Sequence, residues 1–301
     1  MGRLTALVLG AAAGGGFPQW NCRCPVCRLA WAADLRVRPR TQASLAVTAD
    51  GENWVLINAS PDLSQQLRQS KALHPRTGTR ASPVKAVLLT GAEIDQVTGL
   101  LSLREREPFT VCGTAATLAS VADNPMFGVL APDVVTRRAA VPGETIALPG
   151  GLQAELFLVP GKAPLYLEGE NPETASETAA NVGVELSAAG ASIAYIPGAA
   201  AVTSAMMERI TRTDVVFFDG TLFRDDEMIA SGTGTKTARR MGHMPIDGRD
   251  GSLAALDGVA ARRIYVHINN TNPILVEGSP ERALVERAGW NIAEDGMEIA
   301  L

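Results

Sequence analysis

Histidine is scarce in this chain: there are three in 301 residues, His74, His243 and His267. Any chemistry that needs many imidazoles must be built here from other ligands. Basic charge is also short, with 27 Lys and Arg against 32 Asp and Glu. The resulting net charge of −5 argues against nucleic acid as the partner, because a phosphate-tracking surface is usually basic. No apolar run reaches the roughly 18 residues that a membrane span requires. Cysteine numbers four, and Cys22, Cys24 and Cys27 are clustered; that is metal spacing rather than a disulfide framework, and it fits a reducing compartment. No Gly/Ser- or Pro-rich linker and no internal repeat divides the chain, so residues 1–301 read as one domain. Oligomeric state is open, a homodimer included.

The start, MGRLTALVLGAAAGGGFPQW, has the outline of a secretory signal. Arg3 alone makes a weak basic region, however, and Gly14–Gly16 would open a loop, so a strand followed by a glycine turn is expected in a cytoplasmic protein. That glycine run lacks the Lys-Ser/Thr of a phosphate loop and the downstream acid of a dinucleotide site. It reads as a structural turn.

Strand-like runs are expected at Leu4–Leu9, Ser44–Val47, Trp54–Ile57, Val84–Leu89, Phe109–Val111, Glu155–Val159, Val182–Leu186, Ser192–Ile196, Val215–Phe218 and Ile264–His267. Helical patterns fall at Asp62–Gln69, Val97–Leu103, Ala115–Ala122, Val202–Ile210, Gly251–Leu256 and Pro280–Ala288, with Asp62 and Ser252 as cap candidates. Early hairpin-like strands followed by strand–helix alternation in both halves fit a layered α/β sandwich. The polar stretch Gly161–Ala180 is expected to form a long loop or lid. Trp20 and Trp54 read as packing residues, Cys112 as a core residue and His74 as solvent-exposed.

Cys22-x-Cys24-x-x-Cys27 places three thiolates on a tight turn stiffened by Pro25, enough for three corners of a structural Zn²⁺ tetrahedron. The fourth ligand must come from elsewhere. His267, at the end of its strand, can complete this site or serve the active site, but a single imidazole is not expected to do both.

Residues Thr90–Leu100, TGAEIDQVTGL, follow an apolar strand. They resemble the Thr-His-x-His-x-Asp-His-x-x-Gly-Leu signature of metallo-β-lactamase-fold enzymes with each histidine replaced. Gly91, Glu93 and Gln96 stand at the histidine positions, while Asp95 and Gly99 remain. The segments LGAAAGGGFPQWNCRCPVC, LINASPDL, LLTGAEIDQVTGLL, FFDGTLF, RMGHMPI and HINNTNPIL together resemble the pyrroloquinoline quinone (PQQ) biosynthesis protein B family across nearly the whole chain. The resemblance implies an αβ/βα four-layer sandwich of the metallo-β-lactamase kind with its active site at one edge. It also implies a role in PQQ biosynthesis, through iron- and dioxygen-dependent hydroxylation of the tyrosine ring of a Glu–Tyr-derived precursor. An older family reading instead implies a carrier that moves PQQ or its precursor to the periplasm.

By resemblance to phosphonate-pathway phosphodiesterases, His267 falls at an active-site position and Asn270 at the structural-zinc position. By resemblance to tRNA-maturing endonucleases, Asp219 and His243 form an acid–histidine pair. A dinuclear zinc hydrolase of this fold needs roughly five histidines and a bridging aspartate. Here Lys162 and Gly198 occupy two of those positions. The remaining set of Glu93, Asp95, Asp219, His243 and His267 favours one metal. Two imidazoles, a carboxylate and open positions suit a non-haem Fe(II) oxygenase, with Mn²⁺, Mg²⁺, Zn²⁺ or Cu²⁺ able to substitute. Iron is expected on His243, His267 and at least one of Asp95, Asp219 and Glu93. Lys162 and nearby loop arginines would receive substrate carboxylates, and Gln96, Asn269 and Asn270 would support the ligands or touch substrate. A non-catalytic carrier and a residual hydrolase are the competing readings.

Overall fold

The computed structural model describes residues 2–169 and 173–301. Its strands are β1 (Thr5–Gly10), β2 (Ser44–Thr48), β3 (Trp54–Ile57), β4 (Val84–Leu88), β5 (Phe109–Gly113), β6 (Val135–Ala139), β7 (Thr145–Ala147), β8 (Gln153–Gly161), β9 (Ser176–Ala188), β10 (Ala191–Ile196), β11 (Val215–Asp219), β12 (Arg262–Val266), β13 (Trp290–Ile292) and β14 (Glu298–Ala300). They form two seven-stranded mixed sheets, in the orders β14-β1-β2-β3-β4-β5-β6 and β13-β12-β11-β10-β9-β8-β7.

Strand alternation explains the layering. Alternate residues of the central strands, such as Val55 and Ile57 on β3 or Val215 and Phe217 on β11, meet in one core between the sheets. Their neighbours point the other way: Leu56 packs with Leu63 and Leu100 outside the first sheet, and Val216 and Phe218 pack with Met206 and Ile210 outside the second. With both faces covered, the central strands read as continuous apolar runs. The result is the four-layer α/β sandwich expected from the sequence.

All ten expected strands are present. The four that were not expected, β6, β7, β13 and β14, are the outermost strands of the two sheets. Edge strands are short and half-solvated, so they carry little apolar signal.

Helices form where caps and apolar stripes coincide. Thr203 accepts from the Met206 N–H before Ser204–Arg212, and Ser279 accepts from the Arg282 N–H before Pro280–Arg287. Two expected caps fail. The Asp62 carboxylate accepts instead from the backbone and side chain of Gln42. Ser252 lies inside its helix, bonded to the Tyr265 hydroxyl at 2.8 Å.

Two further expectations are corrected. The Gly161–Ala180 stretch is not a loop throughout: Pro160 pairs with Glu177 and Gly161 with Ser176, extending the β8–β9 ribbon. Its outward positions are polar, which hides the strand periodicity; residues 170–172 of that stretch lie outside those described. Trp20 is 82% exposed rather than packed, whereas Trp54 is buried. Among the described residues, no helix is long and apolar enough to cross a membrane.

The TGAEIDQVTGL turn keeps Gly99 for a steric reason, since a Cβ there would collide with the Ser60 carbonyl oxygen. Gly99→Ala should therefore cost about 1–3 kcal/mol, measured by denaturant unfolding. An unchanged midpoint would show that the turn relaxes freely.

Candidate metal centre

Strands β11 and β12 are parallel neighbours, with Asp219 in register with Val266. Their carboxyl ends therefore deliver Asp219, Thr221 and His267 to one edge of the sandwich. The loop after β4, from the opposite sheet, brings Asp95 to the same edge, and the turn after Arg239–Met241 brings His243. Asp95, His243 and His267 border a cavity of about 550 Å³ whose wall also includes Gly14, Glu93, Lys162 and Gly198, while Asp219 and Thr221 lie buried behind the two histidines.

Asp219 is fully buried, and both its oxygens are in use. Oδ1 accepts from the Thr221 N–H (3.0 Å) and hydroxyl (2.6 Å). Oδ2 accepts from the Ala199 N–H (2.9 Å) and from His243 Nδ1 (2.7 Å). Four contacts saturate a carboxylate. Burial pushes its pKa up, but the charge and hydrogen bond of His243, with those of His267 and Thr221, outweigh burial and hold Asp219 below the usual carboxylate range. His243 thus donates through Nδ1 and keeps Nε2 for the cavity, the arrangement in which a carboxylate fixes the tautomer of a metal-binding histidine.

The single Thr221 hydroxyl proton goes to Asp219, its shortest contact. The oxygen can then accept from His267 Nδ1 at 2.9 Å. That leaves His267 Nε2 facing Asp95 Oδ2 at 3.0 Å. His267 has a left-handed backbone with φ of 58°, uncommon outside glycine and frequent at functional sites. The two imidazoles stack at 5.4 Å.

Burial opposes charge on His267, but the hydrogen bond to Asp95 and the charges of Asp95, Asp219 and Glu93 hold its pKa above the usual value. Burial likewise pushes Asp95 up, and its hydrogen bond and attraction to His267 bring it below the usual range. This is an ion pair across which a cation could replace the shared proton.

Asp219, His243 and His267 each offer a donor atom within 4.8 Å of the others. Saturation of Asp219 nevertheless favours Asp95 as the carboxylate with capacity for a metal.

Other sequence-nominated residues do not join this donor group. Glu93 lines the cavity, but its oxygens take Lys162 Nζ (2.9 Å) and the Leu165 N–H (3.2 Å); the ammonium that replaces a histidine neutralises it and keeps it out of the histidine cluster. Gln96 turns back to accept from the Glu93 N–H at 3.1 Å, so it closes the helix start rather than supporting a ligand. Asn269 donates to Thr271 at 2.7 Å and does not line the cavity. Thr221 escaped sequence reasoning. Its only local signal is the Asp-Gly-Thr turn after a buried strand.

The cysteine site is separate. Cys24 caps the helix Pro25–Trp31, accepting from the Cys27 N–H, with Pro25 at the favoured first helical position. The three sulfurs lie within 4.8 Å of one another, near the roughly 3.8 Å expected between tetrahedral thiolates with Zn–S bonds of about 2.3 Å. Asn270 stands over them, with Nδ2 3.1 Å from Cys22 Sγ and 3.3 Å from Cys27 Sγ. The alternative of His267 as fourth ligand here is corrected: it is held at the cavity by Thr221 and Asp95. Its neighbour three residues on covers the cysteines.

Comparison with known proteins now decides the family. A family model described as the beta-lactamase superfamily domain matches residues 53–268. The chain is 54% identical over 299 residues to coenzyme PQQ synthesis protein B of Methylobacterium nodulans, covering 99% of this chain and 100% of that one. It is 53% identical over 296 residues to the Methylorubrum extorquens protein of the same name, covering 98% and 99%.

The chain belongs to the coenzyme PQQ synthesis protein B family.

The crystal structure of Zn²⁺-bound PqqB from Methylobacterium extorquens superposes with a TM-score of 0.97 at 53% identity, over 99% of this chain and 100% of that one. A diphosphatase of the PhnP family, at 22% identity and a TM-score of 0.67 over 99% and 97% of the two chains, shares the fold. The family therefore has the metallo-β-lactamase architecture implied by its sequence signature.

Two outcomes follow from the geometry. His267→Ala should strip the cavity metal and spare the cysteine zinc, while Cys24→Ser should do the reverse and lower stability; elemental analysis of both variants checks this, and loss of zinc from His267→Ala would contradict it. Because His267 holds its proton to higher pH than usual, metal binding below that raised pKa should release a proton, and affinity should fall as pH falls there, by up to about tenfold per pH unit. Calorimetry in buffers of different ionisation enthalpy reads this, and binding without proton release counts against the His267–Asp95 pair.

Proposed function

We propose that this chain acts in PQQ biosynthesis as a non-haem iron oxygenase that hydroxylates the tyrosine ring of a Glu–Tyr-derived amino-acid precursor. The observation that carries the reading is the donor set at the cavity: His243, His267 and Asp95, two imidazoles and one carboxylate that suit Fe(II) with open positions. When bound there, iron would supply the one-electron chemistry that dioxygen needs.

The chain's own groups do the rest. Asp219 and Thr221 fix the tautomers of His243 and His267, so that each presents Nε2. Lys162 holds a positive charge in the cavity wall; burial lowers its pKa, but its bonds to Glu168 and Glu93 outweigh that and keep it above the usual value. A cavity of about 550 Å³ is of small-molecule size. Cys22, Cys24 and Cys27 would hold a structural Zn²⁺ with Asn270 across the remaining corner.

Replacement of the hydrolytic ligands supports oxygenation over hydrolysis. A Cβ on Gly91 would press on the Gln96 side chain at 2.5 Å and the Ala180 carbonyl oxygen at 3.1 Å, so a histidine there would require Gln96 to move. At Gly198 a Cβ would sit 3.3 Å from His243 Cε1, so a bridging aspartate would need the ring to shift, and glycine supplies no ligand there.

The test is anaerobic loading with Fe(II), then addition of the Glu–Tyr precursor, a reductant and ¹⁸O-labelled dioxygen. The expected result is a ring-localised gain of labelled oxygen, lowered about 10–100-fold or more in Asp95→Asn and Asp219→Asn. Tight precursor binding with bound iron and no oxygen gain would establish the carrier reading instead.

A further inference from the structure

One carboxylate at the cavity belongs to no metal site. Glu168 is nine-tenths buried, with 7% of its side chain exposed, and it faces three cations. Lys162 Nζ lies 2.6 Å from Oε1, Lys236 Nζ 3.4 Å from Oε2, and Arg240 Nη1 3.7 Å from Oε2. The match is poor. Oε1 is taken by Lys162, but the buried Arg240 Nη1 has no hydrogen-bond acceptor among the described residues. A buried guanidinium nitrogen without an acceptor is costly, and a better-shaped anion would reach it as well as Lys162.

Glu168 reaches this position on a short strap after β8. Polar ties hold the strap to the cavity wall: Leu165 N–H to Glu93, the Tyr166 hydroxyl to the Ala92 carbonyl at 2.9 Å, and Glu168 to the cations. Its apolar side chains contribute little, since Leu165, Tyr166 and Leu167 are all exposed. A segment anchored by ionic contacts with little buried apolar surface opens easily.

We propose that Lys162, Lys236 and Arg240 form the carboxylate subsite of the cavity, and that Glu168 occupies it as an internal carboxylate until an amino-acid substrate displaces it. This deepens the reading above by assigning the groups that recognise the substrate. Glu93, already bonded to Lys162, is placed to receive the substrate's α-ammonium once the strap lifts. A cation cluster beside a carboxylate is the complement of a zwitterionic amino acid. Exchanging one carboxylate for another conserves the charge of the cluster, so the latch selects for acidic ligands and leaves neutral ones facing a closed strap.

The probes are L-glutamate, glutarate and the neutral diamide glutaramide, titrated calorimetrically into the full-length zinc-loaded protein without oxygen or reductant. Glu168→Gln should bind L-glutamate and glutarate at least about tenfold more tightly than wild type, because removing an internal competitor raises the competent fraction. Glutaramide binding should not change. Lys236→Ala and Arg240→Ala, at partly exposed positions compatible with folding, should each weaken L-glutamate binding, and adding Lys236→Ala should shrink the gain of Glu168→Gln. Equal gains for the diamide and the acids would mean that Glu168 is a structural tie, and the proposal would fall. It would fall as well if neither wild type nor Glu168→Gln bound the acids measurably. These readouts involve no oxygen chemistry, so a tenfold gain beside an inactive iron-loaded protein would overturn the oxygenase reading and leave the subsite standing.

Discussion

A buried carboxylate organises the functional edge of this protein. Asp219 ends a strand whose four preceding residues are apolar and fully enclosed or nearly so, where an unpartnered charge would be prohibitive. It is tolerated because the Thr221 N–H and hydroxyl, the Ala199 N–H and the His243 imidazole converge on it. Those partners come from the loops after β10 and β11 and from the His243 turn, so satisfying one charge aligns three segments. The Thr221 hydroxyl, committed to Asp219, then accepts from His267 and passes the orientation to the second imidazole. Both histidines owe their presentation to a side chain whose two oxygens already take four hydrogen bonds.

The same edge shows how a fold associated with hydrolytic metal centres can be re-equipped. Where the signature calls for histidine, Gly91 abuts Gln96, Gln96 folds back on the helix start, and Glu93 is neutralised by Lys162. These replacements are mutually dependent. Lys162 needs Glu93 and Glu168 to remain charged in a part-buried wall, and Gly198 leaves room beside the His243 ring. What is lost in ligand number appears as a cavity with a reduced donor set on one side and a cation cluster on the other, a division suited to an acidic organic substrate lying next to a metal.

Much of this was legible in the sequence, and the exceptions have physical causes. Asp95, Asp219, His243 and His267 stand out because each follows an apolar run or a glycine turn, where a polar residue has few uses besides function. The central strands are legible because they are buried on both faces; β6, β7, β13 and β14 are not, because edges are half-solvated. Roles set by tertiary pairing leave no local trace. Glu93 looks like a ligand until Lys162 is seen 69 residues away in sequence, and Thr221 looks like any turn threonine. The choice of partner for His267 depended on which strand ends meet, and β12 lying beside β11 brings His267 to Thr221 and Asp95 and Asn270 to the cysteines.

The central claim is a division of labour in which Asp95, His243 and His267 bind the metal while Asp219 orients. Anomalous diffraction from iron-loaded crystals, recorded on both sides of the iron and zinc absorption edges, tests it directly. The account predicts an iron peak in contact with Asp95, His243 and His267, no bond from iron to Asp219, and a distinct zinc peak enclosed by Cys22, Cys24 and Cys27. An iron peak bonded to the Asp219 carboxylate, with Asp95 out of reach, would contradict it.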